Sequence, residues 1–171
     1  GGFLITDDSD KPELVNTSKL DALKDIIEDY VLDAGKKLVI FARFIPEVDA
    51  IMSTLTKLFQ KTGKKHVAIY GAIKKEERGC IIKQFQEDPD TMVIVGQIDT
   101  LGVGVTLTAA DTCVYYSKNF NYATYEQSLA RIHRIGQKNR CTYIDLETEG
   151  TVDELIGKAL AKKEDMAKTV V

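Results

Sequence analysis

The chain has 171 residues, 29% of them charged, a net charge of −3 and a sequence pI near 5.5. That length suits a single domain with a substantial core, and no apolar run approaches the roughly 20 residues that span a membrane. The acidic balance argues against a stand-alone nucleic-acid binder, so any contact with DNA has to come from a local patch.

Residues 7–16 are polar and carry Pro12, and the chain opens on Gly1-Gly2 without a methionine; residues 1–16 read as a linker or tag remnant, with the domain proper at 17–171. Ser18-Lys19-Leu20-Asp21 resembles a capping box, and Leu20, Leu23, Ile26, Ile27, Tyr30 and Val31 follow at helical spacing until Gly35 ends the helix. Leu38–Ala42 is a continuous apolar run, the pattern of a strand buried on both faces. Pro46 opens a second helix carrying Val48, Ile51, Leu55, Leu58 and Phe59. The alternation then continues: strand Val67–Tyr70, helix Lys75–Gln86, strands Met92–Gly96 and Cys113–Tyr116, helix Ala123–Ile135, strand Thr142–Leu146 and helix Val152–Lys163. Thr151 and Glu154 form a capping box for the last helix. Strands alternating with helices predict an α/β fold of three layers, a mostly parallel sheet with helices on both faces. Right-handed crossovers gather the strand C-terminal ends on one edge, where ligands bind.

Three features of that edge carry chemistry. Arg43 and Gly71 each follow a strand. Gly102 and Gly104 form a GxG in the loop after Val95, where missing side chains let backbone approach a ligand, although a plain turn has the same spelling. Gln127, Arg131 and Arg134 stand at offsets of four and three, which on a continuous helix share one face. Two arginines on a helix are usually a solvated stripe, but only Glu126 is nearby to pair with them, and a guanidinium fork matches phosphate oxygens.

Other patterns point to structure rather than function. Gly35-Lys36-Lys37 and Gly63-Lys64-Lys65 lack the Ser or Thr of a phosphate loop. Asp153-Glu154 imitates an acidic metal box but sits at a helix start, so its role is structural. Cys80, Cys113 and Cys141 form no CxxC pair and are expected as free thiols in a reducing cytoplasm. His66 reads as a surface residue, and no residue cluster has metal-ligand spacing.

Taken together, Leu38-Val39-Ile40-Phe41, Tyr70-Gly71-Ala72, Thr100 to Asp111, the run Gln127-x-x-x-Arg131-x-His133-Arg134-Ile135-Gly136-Gln137 and Gly150 to Glu154 resemble superfamily 2 helicases. The HRIGQ ending is similar to that of the Swi/Snf-like branch of DNA-dependent ATPases, and the resemblance runs in order over roughly residues 17–165. It implies the second, C-terminal RecA-like lobe of a two-lobed ATP-dependent translocase. ATP with Mg²⁺ would be held mainly by an N-terminal lobe of the same protein, and double-stranded DNA would be the track. The resemblance assigns Arg131 and Arg134 as arginine fingers, Gly102, Gly104 and Gln127 to the nucleotide, and Arg43, Gly71, Thr100 and Thr106 to DNA phosphates. It implies that the chain alone hydrolyses no ATP. Leu101, Thr106, Asp99 and Phe120 depart from the branch, which usually places Gly, Asn, Arg and Trp there; Asp99 reverses the expected charge. The compact loops suggest a phage or bacterial member, hence a cytoplasmic one. A non-catalytic RecA-like module that docks a partner protein is the competing expectation, motivated by the missing first lobe and the net negative charge.

Overall fold

A computed structural model of the chain describes residues 3–4, 13–14, 17–101 and 104–169. Within the expected linker, β1 (Phe3–Leu4) pairs antiparallel with β2 (Glu13–Leu14) as a separate two-stranded sheet. The domain proper is a five-stranded sheet in the order β4 (Lys65–Ile69), β5 (Thr91–Gln97), β3 (Leu38–Ala42), β6 (Thr112–Tyr115) and β7 (Thr142–Asp145). Every pairing in it is parallel.

The period-two geometry of a strand explains why β3 has no polar residue. Leu38, Ile40 and Ala42 face one core with Val93, Val95 and Val114; Val39 and Phe41 face the other with Ile94 and Tyr115. The first core is roofed by α1 (Ser18–Ile27) and α2 (Ile45–Phe59) through Leu23, Ile27, Val48, Ile51 and Leu55. Phe85 of α3 (Lys75–Glu87) closes the second, together with Leu107 and Ile132. This is the expected three-layer arrangement, with a sheet that is parallel throughout.

Several boundaries differ from the sequence reading. The N-cap of α1 is Thr17, whose carbonyl accepts from Asp21, and no side chain caps it. The helix passes into a π-helical stretch, Glu28–Asp33, and Gly35 then turns the chain at φ +65°, a left-handed conformation suited to glycine. Pro46 is the second residue of α2, not its opener; Glu47 closes that turn by accepting from the Arg43 and Phe44 amides. The loop after β5 contains a one-turn helix, α4 (Ile98–Leu101).

The largest correction concerns the arginine segment. The helix expected to reach Ile135 is α5 (Tyr122–Leu129) and stops before both arginines. Its continuation fails because the carbonyls that would carry the helical ladder are taken by other groups. The Gln127 carbonyl accepts from Arg131 Nε (2.8 Å), that of Leu129 from the Tyr143 hydroxyl (2.7 Å), and that of Arg131 from the Leu107 amide (2.9 Å). Gln137 takes the Ile132 carbonyl as well (3.1 Å). Last comes α6 (Val152–Thr169), whose first turn is capped by Thr151 Oγ1 accepting from the Asp153 amide. Glu154 reaches back to the Gly150 amide, one residue further than in the usual capping box.

Candidate functional site

The strand C-terminal ends place Arg43, Gly71 and Gln97 side by side. Gln97 Oε1 accepts from the Gly71 amide (2.9 Å) and Gln97 Nε2 donates to the Arg43 carbonyl (3.2 Å), so one side chain laces three strand ends together. The Arg43 amide donates to Ser117 Oγ (2.7 Å), which ties β3 to the end of β6. The Arg43 guanidinium lies over the exposed Phe44 ring at 4.7 Å and is itself exposed. Gly71 keeps only its carbonyl for other partners, and Arg78 Nη2 already approaches it at 3.4 Å. Thr100 lies on α4 next to Asp99, whose carboxylate accepts from Asn119 Nδ2 (3.4 Å). Gln97 was missed in the sequence; its signal is a lone polar residue ending an apolar strand.

The arginines form a second cluster. Arg131 is buried and Arg134 exposed, yet both donate through Nη1 to the Val105 carbonyl, at 3.1 and 3.3 Å. Arg134 Nη1 also donates to Thr106 Oγ1 (2.9 Å). Among the described residues neither guanidinium is paired with a carboxylate. Burial, followed by the neighbouring Arg134 charge, pulls the Arg131 pKa below its ordinary value. A guanidinium cannot escape by losing its proton at any accessible pH, so the cluster remains a concentration of positive charge. An open pocket of about 770 Å³ adjoins it, lined by Thr106, Ala130, His133, Arg134 and Ile135. The side chain of Ile135 is fully exposed beside it.

The shared helical face predicted for Gln127, Arg131 and Arg134 is thus replaced by a shared acceptor. Gln127 supports Arg131 through its backbone carbonyl, while its exposed side chain remains free of that bond. Thr106, expected with the DNA-contacting set, stands with the arginines. Gly104 adopts φ +72°, a left-handed conformation suited to glycine, with open space where a Cβ would sit. Gly102 lies outside the described residues.

Residues 105–110 are held from several sides. The Gln137 amide nitrogen lies within reach of the carbonyls of Ala110 (2.7 Å), Ile132 (3.1 Å) and Thr108 (3.3 Å). From α3, Gln86 Oε1 accepts from the Ala109 amide and its Nε2 donates to Thr108 Oγ1. Among the described residues no group of three His, Cys, Asp or Glu could hold a metal ion, and no helix is long and apolar enough to cross a membrane.

Comparison with known proteins bears on the family and the fold. Residues 18–136 match the model of the helicase conserved C-terminal domain. The chromatin-remodeling ATPase INO80 of Aspergillus clavatus is 28% identical over 92% of this chain, and that of Pyricularia oryzae 29% over 98%. The chain spans only 9% and 8% of the length of those two relatives. The C-terminal part of the Fun30 ATPase domain superposes with a TM-score of 0.71 at 25% identity, covering 83% of this chain and 44% of that one. The Sulfolobus solfataricus SWI2/SNF2 ATPase C-terminal domain gives a TM-score of 0.66 at 27% identity, covering 90% and 59%. The two INO80 relatives are fungal and the Sulfolobus domain archaeal, and they lend nothing to a phage or bacterial source. The ordered motifs, the three-layer parallel fold and these likenesses meet in one conclusion: the chain belongs to the helicase conserved C-terminal domain family, as a second RecA-like lobe of the Swi/Snf-like ATPases.

Proposed function

We propose that the chain is the second motor lobe of an ATP-dependent translocase on double-stranded DNA, and that Arg131 and Arg134 are its arginine fingers. The observation that carries this reading is the convergence of both guanidiniums on the Val105 carbonyl at the rim of an open pocket, with no carboxylate partner among the described residues. A solvated stripe would spread its charges apart; here like charges are drawn together, at a cost that an anionic ligand would offset. In phosphoryl transfer the charge lies on the equatorial oxygens, and a guanidinium fork placed there stabilises the transition state.

ATP would bind between this lobe and an N-terminal lobe of the same protein, which would supply the phosphate loop and the Mg²⁺ ligands. Gly104 would admit the nucleotide closely, and Gln127 would hold Arg131 through its carbonyl. Arg43 and Thr100, on the strand C-terminal edge, would contact phosphates of one strand, positioning the lobe without reading sequence, whereas Gly71, whose amide is given to Gln97, has no donor left for a phosphate. Arg43, exposed on a loop laced by Gln97, is the better placed of the two.

The test is ATP turnover by the full-length protein with and without duplex DNA. Replacing Arg131 or Arg134 with Ala is expected to lower DNA-stimulated turnover by about 10³-fold or more, the scale of a lost arginine finger, with DNA affinity largely retained. Wild-type turnover in either variant overturns the assignment. The isolated chain is expected to hydrolyse no ATP; measurable turnover by it would show that the phosphate chemistry lies within this lobe.

A further inference from the structure

We propose that Thr106 is a positioning residue for Arg134, acting on ATP hydrolysis through that guanidinium and not through contact with DNA. The inference rests on the reading of Arg134 as a finger.

Three observations support it. The first is direction: Thr106 Oγ1 accepts from Arg134 Nη1 at 2.9 Å, the shorter of the two bonds that anchor this guanidinium. The second is geometry. Both anchoring bonds use Nη1, so the edge formed by Nε and Nη2 is left unengaged among the described residues. That edge offers two parallel N–H donors, the fork that fits two oxygens of one phosphate. The hydroxyl thus fixes the finger without consuming its phosphate-facing donors.

The third is rigidity. Arg134 is exposed and outside any helix, so backbone geometry alone does not set its rotamer, and an unanchored arginine side chain samples many of them. Thr106, by contrast, belongs to a segment whose place is fixed. The Leu107 amide binds the Arg131 carbonyl, Gln86 holds Thr108 and Ala109, and Gln137 reaches the carbonyls of Thr108 and Ala110. An acceptor on such a segment transmits its position to whatever it holds. Thr106 also lines the open pocket with Arg134, whereas Arg43 and Gly71 are laced together at the strand ends by Gln97.

The experiment uses the full-length protein that carries this lobe. Thr106→Val keeps the side-chain shape and removes the hydroxyl; Thr106→Ser keeps the hydroxyl. Turnover at saturating ATP and duplex DNA, the KM for ATP and the Kd for duplex DNA are measured for each, together with Arg134→Ala and the Thr106→Val/Arg134→Ala double variant. Thr106→Val is expected to lower kcat about tenfold with Kd for DNA unchanged, and Thr106→Ser to stay within twofold of wild type. In the Arg134→Ala background the valine is expected to have no further effect, because the group it acts through is gone. Weakened DNA binding with normal kcat at saturating DNA would make Thr106 a DNA contact and overturn the proposal. So would a normal kcat and Kd in Thr106→Val, or a tenfold loss that persists in the Arg134→Ala background. Should Arg134→Ala itself turn over at the wild-type rate, the reading of Arg134 as a finger is what fails.

Discussion

Lys19 shows how much a single side chain can hold together. Its ammonium is buried, 2.6 Å from the Asp153 carboxylate and 2.7 Å from the Tyr116 carbonyl, and it lies over the Tyr116 ring at 5.4 Å. Because Lys19 belongs to α1, Tyr116 follows β6 and Asp153 starts α6, this one cation fastens the last helix to the body of the lobe. Desolvating two charges is costly, and removing one partner leaves the other charge buried and uncompensated. Lys19→Ala is expected to lose about 3–5 kcal/mol of stability, read from urea unfolding of the lobe, and Lys19→Met with Asp153→Leu to recover most of it. An unchanged midpoint in the single variant would show that water reaches the pair. The sequence marked Asp153 as structural but offered no clue to its partner, which stands in a distant segment. The sequence singled out the arginines for their chemistry, since a guanidinium fork matches phosphate oxygens. Their acceptor was not, because Val105 contributes a backbone carbonyl and any residue has one.

At the scale of elements, agreement with the sequence follows the reach of the interactions that shape each one. The β3 strand was legible because both its faces are buried, which leaves an uninterrupted apolar run. The end of α5 was hidden: apolar residues continue at helical spacing through Leu129, Ile132 and Ile135, yet Ile132 is buried and Ile135 fully exposed. What stops the helix is the capture of its carbonyls by Tyr143, Leu107 and Gln137, and no local pattern announces that. The turn from α3 into β5 is organised by Asp88. Its carboxylate accepts from the Asp90 amide, from Lys65 Nζ and from the Thr91 hydroxyl, and these bonds, in that order with Lys65 second, draw its pKa from 3.8 down to about 2. Because folding lowers this pKa, the unfolded chain takes up the proton first. The contribution is therefore complete above the ordinary value and is lost as pH falls toward 2. Asp88→Asn is expected to flatten the pH dependence of stability in that acidic interval, followed by urea midpoints; an unaltered slope would remove Asp88 from the account. At the far end of β5, Gly96 leaves no room for a side chain: a Cβ there would come within 2.6 Å of Leu101 Cβ and 2.8 Å of the Ile69 carbonyl. Gly96→Ala is expected to cost about 1–3 kcal/mol and to displace α4. Thermal melting and the Kd for duplex DNA of the full-length protein read the two effects separately.

For the molecule as a whole, the alternation of elements was enough to foresee three layers, but not the strand order. That order is set by which surfaces bury together, and it puts the first strand of the main sheet at its centre, between β5 and β6. The same placement brings Arg43 to the middle of the strand-end row, with Gly71 and Gln97 on one side and Ser117 on the other. It has a further consequence during synthesis. Domains emerge from the ribosome N-terminus first, at about 5–20 residues per second. Leu38 can find its register partner Val93, and Thr112 beyond it, only after α2, β4 and α3 have all been made. For those seconds the most apolar strand of the lobe has neither neighbour, and an uncharged run with open edges is a template for association with other chains. Lys36 and Lys37 directly before it and Arg43 directly after it put positive charge at both ends, where such charges act as gatekeepers against aggregation. In the nascent chain, Arg43 guards a strand that it later helps to present.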